Sequence, residues 1–119
     1  MRKILLSLAL LLFAVAGTAV AADTLPRANT VTMIDLGADF CVPCKMMAPI
    51  LKKLETEYSG KADVSFIDIS KNQDATEKYR IHVIPTQIFY NKEGKEVGRH
   101  EGFLEEKTIR GILDNLLGK

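Results

Sequence analysis

The chain has no tryptophan, and only two of its 119 residues are cysteine and two histidine. That scarcity argues against a bound metal. Zinc takes four ligands, whereas Cys41 and Cys44 offer two, and His82 and His100 stand apart with no second cysteine pair in support. The histidines read as surface or loop residues. No glycine-rich dinucleotide fingerprint is present, so no FAD or NAD site, and no cofactor, is expected. An excess of one charge is lacking too: 16 basic side chains against 15 acidic ones give a net charge of +1. Nucleic acid and acidic membrane surfaces are therefore not the expected partners. Repeats, low-complexity tracts and long linkers are missing, which leaves one domain.

A long apolar run occurs once, at the start. Arg2 and Lys3 precede an almost wholly apolar stretch from Ile4 to Val20, and Ala19-Val20-Ala21 places small residues where a signal peptidase reads. Residues 1–21 are expected to be a cleaved signal peptide, with export to the periplasm or beyond. An uncleaved membrane anchor is the alternative, because the run is near the lower limit for a spanning helix. No cysteine lies near the cleavage point, so a lipid anchor is not expected. Loss of Arg2 and Lys3 leaves 14 basic against 15 acidic side chains, still close to neutral.

Residues 22–29 contain Leu25-Pro26 and few apolar positions, and read as an extended lead-in to a domain over 30–119. Thr30 to Leu36 is β-branched and apolar, a buried strand with one odd member, Asp35. A carboxylate there is either a strand-end residue or a functional group, since Asp is rarely buried unpaired. Gly37 to Phe40 turns the chain into a helix from about Val42 to Tyr58. Met46, Met47, Ile50, Leu51, Leu54 and Tyr58 recur on one face of it, and Pro49 should kink it. Ser59-Gly60 ends it.

Ala62 to Ile69 alternates with apolar residues on both faces, which suggests a strand inside a sheet. Asn72 to Tyr79 is a short polar helix with Asn72 or Ser70 as cap. Thr86 to Tyr90 is an apolar strand. Asn91-Lys92-Glu93-Gly94 then makes a hairpin turn into Lys95 to Glu101, and Gly102-Phe103 breaks that strand. Glu105 to Leu117 closes the chain as an amphipathic helix. The order predicts an α/β fold, a mixed four-stranded sheet flanked by three helices.

The chemistry centres on Cys41-Val42-Pro43-Cys44. Two intervening residues let both sulfurs sit on the first turn of one helix, close enough to form a small disulfide ring. Unpaired N–H groups and the helix dipole there stabilise an anion, so the first cysteine can be a thiolate near neutral pH. A thiolate with a thiol beside it can attack a disulfide and be released by its neighbour. In an oxidising compartment the plain alternative is a structural bridge. A bridge across two residues closes a very short loop, however, and short loops stabilise least. A redox-active pair is the preferred reading.

From Asp35 through Lys45 the sequence resembles the active-site segment of the thioredoxin family, Asp-x-x-Ala-x-x-Cys-x-Pro-Cys-Lys, and Met46 to Leu51 continues the likeness. Lys78-Tyr79, Ile81 and Ile84-Pro85-Thr86 are similar to the segment carrying that family's cis-proline, and Gly102 falls where a glycine lies near the site. The resemblance runs from about Thr30 to Leu117. It implies a thioredoxin fold trimmed at its N-terminus, with too few residues before Thr30 for the family's first strand and helix. A sheet edge would then be open or covered by the lead-in.

The same resemblance implies roles. Cys41 would be the attacking thiolate, Cys44 the resolving thiol and Asp35 a buried carboxylate relaying a proton for Cys44. Pro85 would be cis, setting the Ile84 backbone beside the sulfurs so that a substrate chain can pair there. Phe40, Val42, Pro43 and Gly102 would complete the surface that a substrate meets. Three departures stand out: Gly37 and Phe40 replace the family's tryptophans, Phe66 lies where a lysine often neighbours the buried carboxylate, and the N-terminus is short.

The Val42-Pro43 dipeptide lacks the histidine of disulfide-forming oxidases and isomerases, and Ile84 is the reductase-like residue before the proline. The resemblance thus implies a protein-disulfide reductase acting on exported or envelope proteins and recharged by a membrane electron donor of the thiol-transfer type. A disulfide oxidase or isomerase is the alternative, although the added domain through which isomerases dimerise is missing and a monomer is expected. A non-catalytic binding module with a structural Cys41–Cys44 bridge is the other.

Overall fold

A computed structural model describes residues 24–119. The signal peptide expected over 1–21 lies outside the described residues. Strand β1 spans Val31–Gly37, helix α1 Val42–Glu57, β2 Ala62–Asp68, α2 Asp74–Lys78, β3 Thr86–Tyr90, β4 Glu96–Glu101 and α3 Glu106–Leu116. The strands form one mixed sheet in the order β2-β1-β3-β4. β1 pairs with β2 in parallel, joined through α1, while the β1–β3 and β3–β4 pairs are antiparallel.

β1 is buried at every position because its alternation feeds two separate cores. Val31 and Met33 face α1 and α3, where Met47, Leu51, Leu54, Phe89, Ile109 and Leu113 pack with them. Ile34 and Leu36 face the opposite side, against Ala75, Tyr79, Ile81 and Ile88. Asp35 follows Met33 by two residues, so the period of the strand turns it toward the α1 face. The outer ends of α1 and α3 are tied by Tyr58 Oη donating to Asp114 Oδ1 at 2.8 Å, by the 2.9 Å Lys53–Glu106 pair and by Arg110 with Glu57.

Two expectations change. β2 is an edge strand rather than an interior one. Apolar residues on both faces record cover by layers above and below the sheet, not hydrogen bonding along both edges. α2 is shorter than expected and its cap is Gln73, with no side-chain cap bond. Ser70 and Asn72 are engaged elsewhere: Asp68 Oδ1 accepts from the Ser70 amide and hydroxyl, and Asn72 Nδ2 donates to the Asp68 carbonyl. Pro49 stands inside α1 without ending it.

The lead-in does not extend the sheet. Leu25 joins the second core, and its carbonyl lies 3.5 Å from Tyr79 Oη. The Arg27 amide donates to Thr32 Oγ1 at 3.2 Å, and its guanidinium lies 3.5 Å from the Asp63 carboxylate. The Leu25–Pro26 bond is cis. Among the described residues no helix is long and apolar enough to cross a membrane.

Candidate active site

Cys41 caps the N-terminus of α1, and its sulfur accepts from the Cys44 amide at 3.3 Å. Pro43 sits in the first turn, where a missing N–H costs nothing. The two sulfurs are joined as a disulfide. They are not equivalent. Cys41 is half-buried and open to solvent, whereas Cys44 is buried at 5% exposure. No acidic side chain stands in the first turn of α1 to oppose an anion there.

The Ile84–Pro85 bond is cis, and the Ile84 carbonyl lies 3.9 Å from the Cys41 sulfur. Gly102 belongs to the same cluster, because its amide donates to the Pro85 carbonyl at 2.7 Å. Its φ of +94° is open to glycine and strained for other residues. Phe40 and Val42 flank Cys41, and both are largely exposed, at 76% and 69%. Val83 and Phe103, beside Ile84 and Gly102, are exposed as well. Each segment that meets at the accessible sulfur thus carries an exposed apolar side chain next to it in sequence. His82 is exposed and takes no place in this arrangement.

Asp35 is completely buried on the α1 face of β1. In register it is flanked by Phe66 of β2 and Gln87 of β3. Burial pushes its carboxyl up from 3.8 to about 6, and a hydrogen bond from Gln87 Nε2 to Oδ1 at 2.8 Å partly offsets the rise. Gln87 was not among the residues singled out from sequence. The signal was an amide in the apolar run Thr86-Gln87-Ile88-Phe89-Tyr90, two residues after Pro85.

Gly37 and Phe66, read from sequence as separate departures, meet in space. A Cβ on Gly37 would stand 3.0 Å from the Cys44 sulfur, 3.2 Å from its Cβ and 3.3 Å from the Phe66 ring. The Phe66 ring therefore lies over the glycine and closes that flank of Cys44. Even a methyl group is crowded here, so Gly37→Ala is expected to destabilise the oxidised protein by about 1–3 kcal/mol through overpacking. Denaturant unfolding at pH 7 measures this, and an unchanged midpoint would show that Cys44 yields freely.

A helix-capping Cys-x-x-Cys disulfide, set against a cis-proline at the end of a mixed sheet, defines a protein built for thiol–disulfide exchange. The comparisons agree. A family model described as Thioredoxin matches residues 18–115. Thioredoxin of Staphylococcus aureus is 38% identical over 87 residues, which cover 73% of this chain and 83% of that protein. The crystal structure of chloroplastic thioredoxin z matches with a TM-score of 0.68 at 29% identity, over 76% of this chain and 81% of that one. The chain belongs to the thioredoxin family, and its disulfide-forming cysteine pair is that of a thiol–disulfide oxidoreductase.

Proposed function

We propose that the protein is a reductase of disulfides in exported or envelope proteins, with Cys41 as nucleophile, Cys44 as resolving thiol and Asp35 as proton partner of Cys44. The observation that carries this reading is the asymmetry of the sulfurs. Cys41 is accessible at a helix N-terminus, while Cys44 is buried on the side of the sheet to which Asp35 turns. In the dithiol form the Cys41 thiolate attacks a substrate disulfide. A Cys41–substrate bond forms, and one substrate sulfur leaves as thiolate. Cys44 then gives its proton to the Asp35 carboxylate and attacks the Cys41 sulfur. The second substrate thiolate leaves, and the Cys41–Cys44 disulfide remains. Two electrons have passed from the protein to the substrate.

Each partner of that sequence has a support. The Ile84 carbonyl beside Cys41 offers an acceptor to the backbone of an extended substrate chain, and the exposed side chains of Phe40, Val42, Val83 and Phe103 offer apolar contact. The Val42-Pro43 dipeptide adds no charge or donor that would favour the reduced state as oxidases require. The basic, apolar start of the chain supports export, and export calls for a membrane donor of thiol equivalents to return Cys41–Cys44 to the dithiol.

Insulin reduction in the presence of dithiothreitol tests the activity. The wild-type protein is expected to accelerate precipitation of the insulin B chain at catalytic concentrations, and Cys41→Ser to reduce it to the dithiothreitol background. A wild-type rate equal to that background overturns the reading in favour of a binding module with a structural bridge.

A further inference from the structure

Across β3 from Asp35 stands Gln87, an amide with no solvent exposure. Its Nε2 donates to Asp35 Oδ1 at 2.8 Å. The other oxygen of each group, Asp35 Oδ2 and Gln87 Oε1, is buried without a hydrogen-bond partner. A buried polar atom left without a partner carries the cost of its lost hydration with nothing in return. An ionised carboxylate cannot relieve either one, since both atoms only accept. A protonated carboxyl relieves both at once. With Nε2–H donating to Oδ1, an O–H on Oδ2 can donate to Oε1, a two-bond ring that gives both orphaned oxygens a partner.

The surroundings leave that ring as the principal recourse. β2 opposes Asp35 with Phe66, which carries no charge and no donor. α1 covers the region with Cys44, held in the disulfide. Asp39, Lys45, Lys52 and Glu55 line an outer cleft bounded by Cys44 and Phe66, and all four are exposed. His100 is next in the row beyond Gln87, exposed, with Nε2 3.1 Å from the Phe103 carbonyl.

We propose that Gln87 is a positioning residue that receives the Asp35 carboxyl in an acid–amide pair as it takes the Cys44 proton and the Cys41–Cys44 disulfide forms. The inference rests on the reading of Asp35 as proton partner of Cys44. The proton that leaves the Cys44 thiol as it attacks Cys41 is taken up on Oδ2 and held between Oδ2 and Gln87 Oε1. When a dithiol donor reopens the disulfide, the proton returns to the departing Cys44 sulfur. The donor's two thiols end as a disulfide, and the two electrons they give up reduce Cys41–Cys44; the Asp35–Gln87 pair itself only takes up and returns the proton. Gln87 thus stands in for the charged neighbour that Phe66 displaces, and it acts through geometry rather than charge.

The test is the infrared carbonyl band of protonated Asp35 in the oxidised protein at pH 5, assigned by its loss in Asp35→Asn. In Gln87→Met, which keeps the length but removes both hydrogen bonds, the band is expected to move to higher frequency. The same variant should slow the resolution of a Cys41 mixed disulfide by roughly tenfold, a fraction of the 10²–10⁴ that positioned proton transfer supplies. In an Asp35→Asn background the slowing should vanish, because the carboxylate that accepts the Cys44 proton is gone. An unmoved band, or a loss that persists undiminished without Asp35, overturns the proposal. If Gln87→Met does not fold, ¹³C NMR of the wild-type protein decides. The Gln87 side-chain carbonyl must then titrate with the Asp35 carboxyl, and a silent carbonyl contradicts the pair. A wild-type protein inert toward disulfides would remove the proposed function, while the band would still decide the pairing.

Discussion

A Cys44→Ser protein is expected to lose catalytic turnover and to accumulate mixed disulfides through Cys41. The cause is the division of labour between an accessible and a buried sulfur. Cys41 keeps its place at the N-terminus of α1, with backbone N–H groups available to a thiolate, so the first attack proceeds. The serine hydroxyl at position 44 cannot displace the substrate, and the intermediate stays. Turnover in the insulin assay should fall to background, while substrates from an envelope extract remain attached until dithiothreitol releases them. Cys41→Ser should lose turnover equally and trap nothing. Mass spectrometry of the released proteins would identify the substrates. Equal trapping by both variants would show that the two sulfurs are interchangeable and would remove the assignment of nucleophile.

The second large effect is on stability. Burial raises the Asp35 carboxyl from 3.8 to about 6, which means that folding favours its protonated form. Below pH 4 the carboxyl is protonated in both folded and unfolded chains, and the folded state carries no penalty from it. Between pH 4 and 6 the unfolded chain releases the proton while the folded one keeps it, so stability falls as pH rises. Above pH 6 the loss is complete. A shift of this size corresponds to about 3 kcal/mol. Asp35→Asn should therefore match the wild type below pH 4 and exceed it by about 3 kcal/mol at pH 7. For a domain of this size that is roughly 10–20 °C in Tm. Thermal unfolding of the oxidised proteins across this pH range measures the divergence. Parallel curves would show that Asp35 ionises without cost. The same variant should resolve mixed disulfides about 10²-fold or more slowly at pH 7, so a residue that weakens the fold is also one that the chemistry uses.

Most of the fold was legible because its signals are local. The apolar positions from Met47 to Tyr58, the Asn91–Gly94 turn and the break at Gly102 each state their structure within a few residues, and the elements follow them closely. The place of β2 in the sheet was not legible. The faces of a strand show in its alternation, but its edges depend on which other strands exist. The site divides in the same way. Cys41 and Cys44 lie within one turn of helix, and Pro85 and Gly102 were identifiable through their likeness to the family. Gln87 was missed because its partner is 52 residues away and the pairing is set by antiparallel register. The contact of Phe66 with Gly37 was missed for a similar reason: two substitutions that look independent along the chain occupy one space in the fold. A polar residue within a buried strand is the observable hint in such cases, and Asp35 and Gln87 are both of that kind.

The central claim is that Cys41 and Cys44 form a reversible couple that gives up electrons readily. Its most direct test is the reduction potential of the pair, measured by equilibrating the purified protein with dithiothreitol or glutathione redox buffers and counting free thiols. A reductase of this family should fall near thioredoxin, about −270 mV. A value near that of the strong oxidases, about −120 mV, or a disulfide that no buffer reduces, would contradict the account.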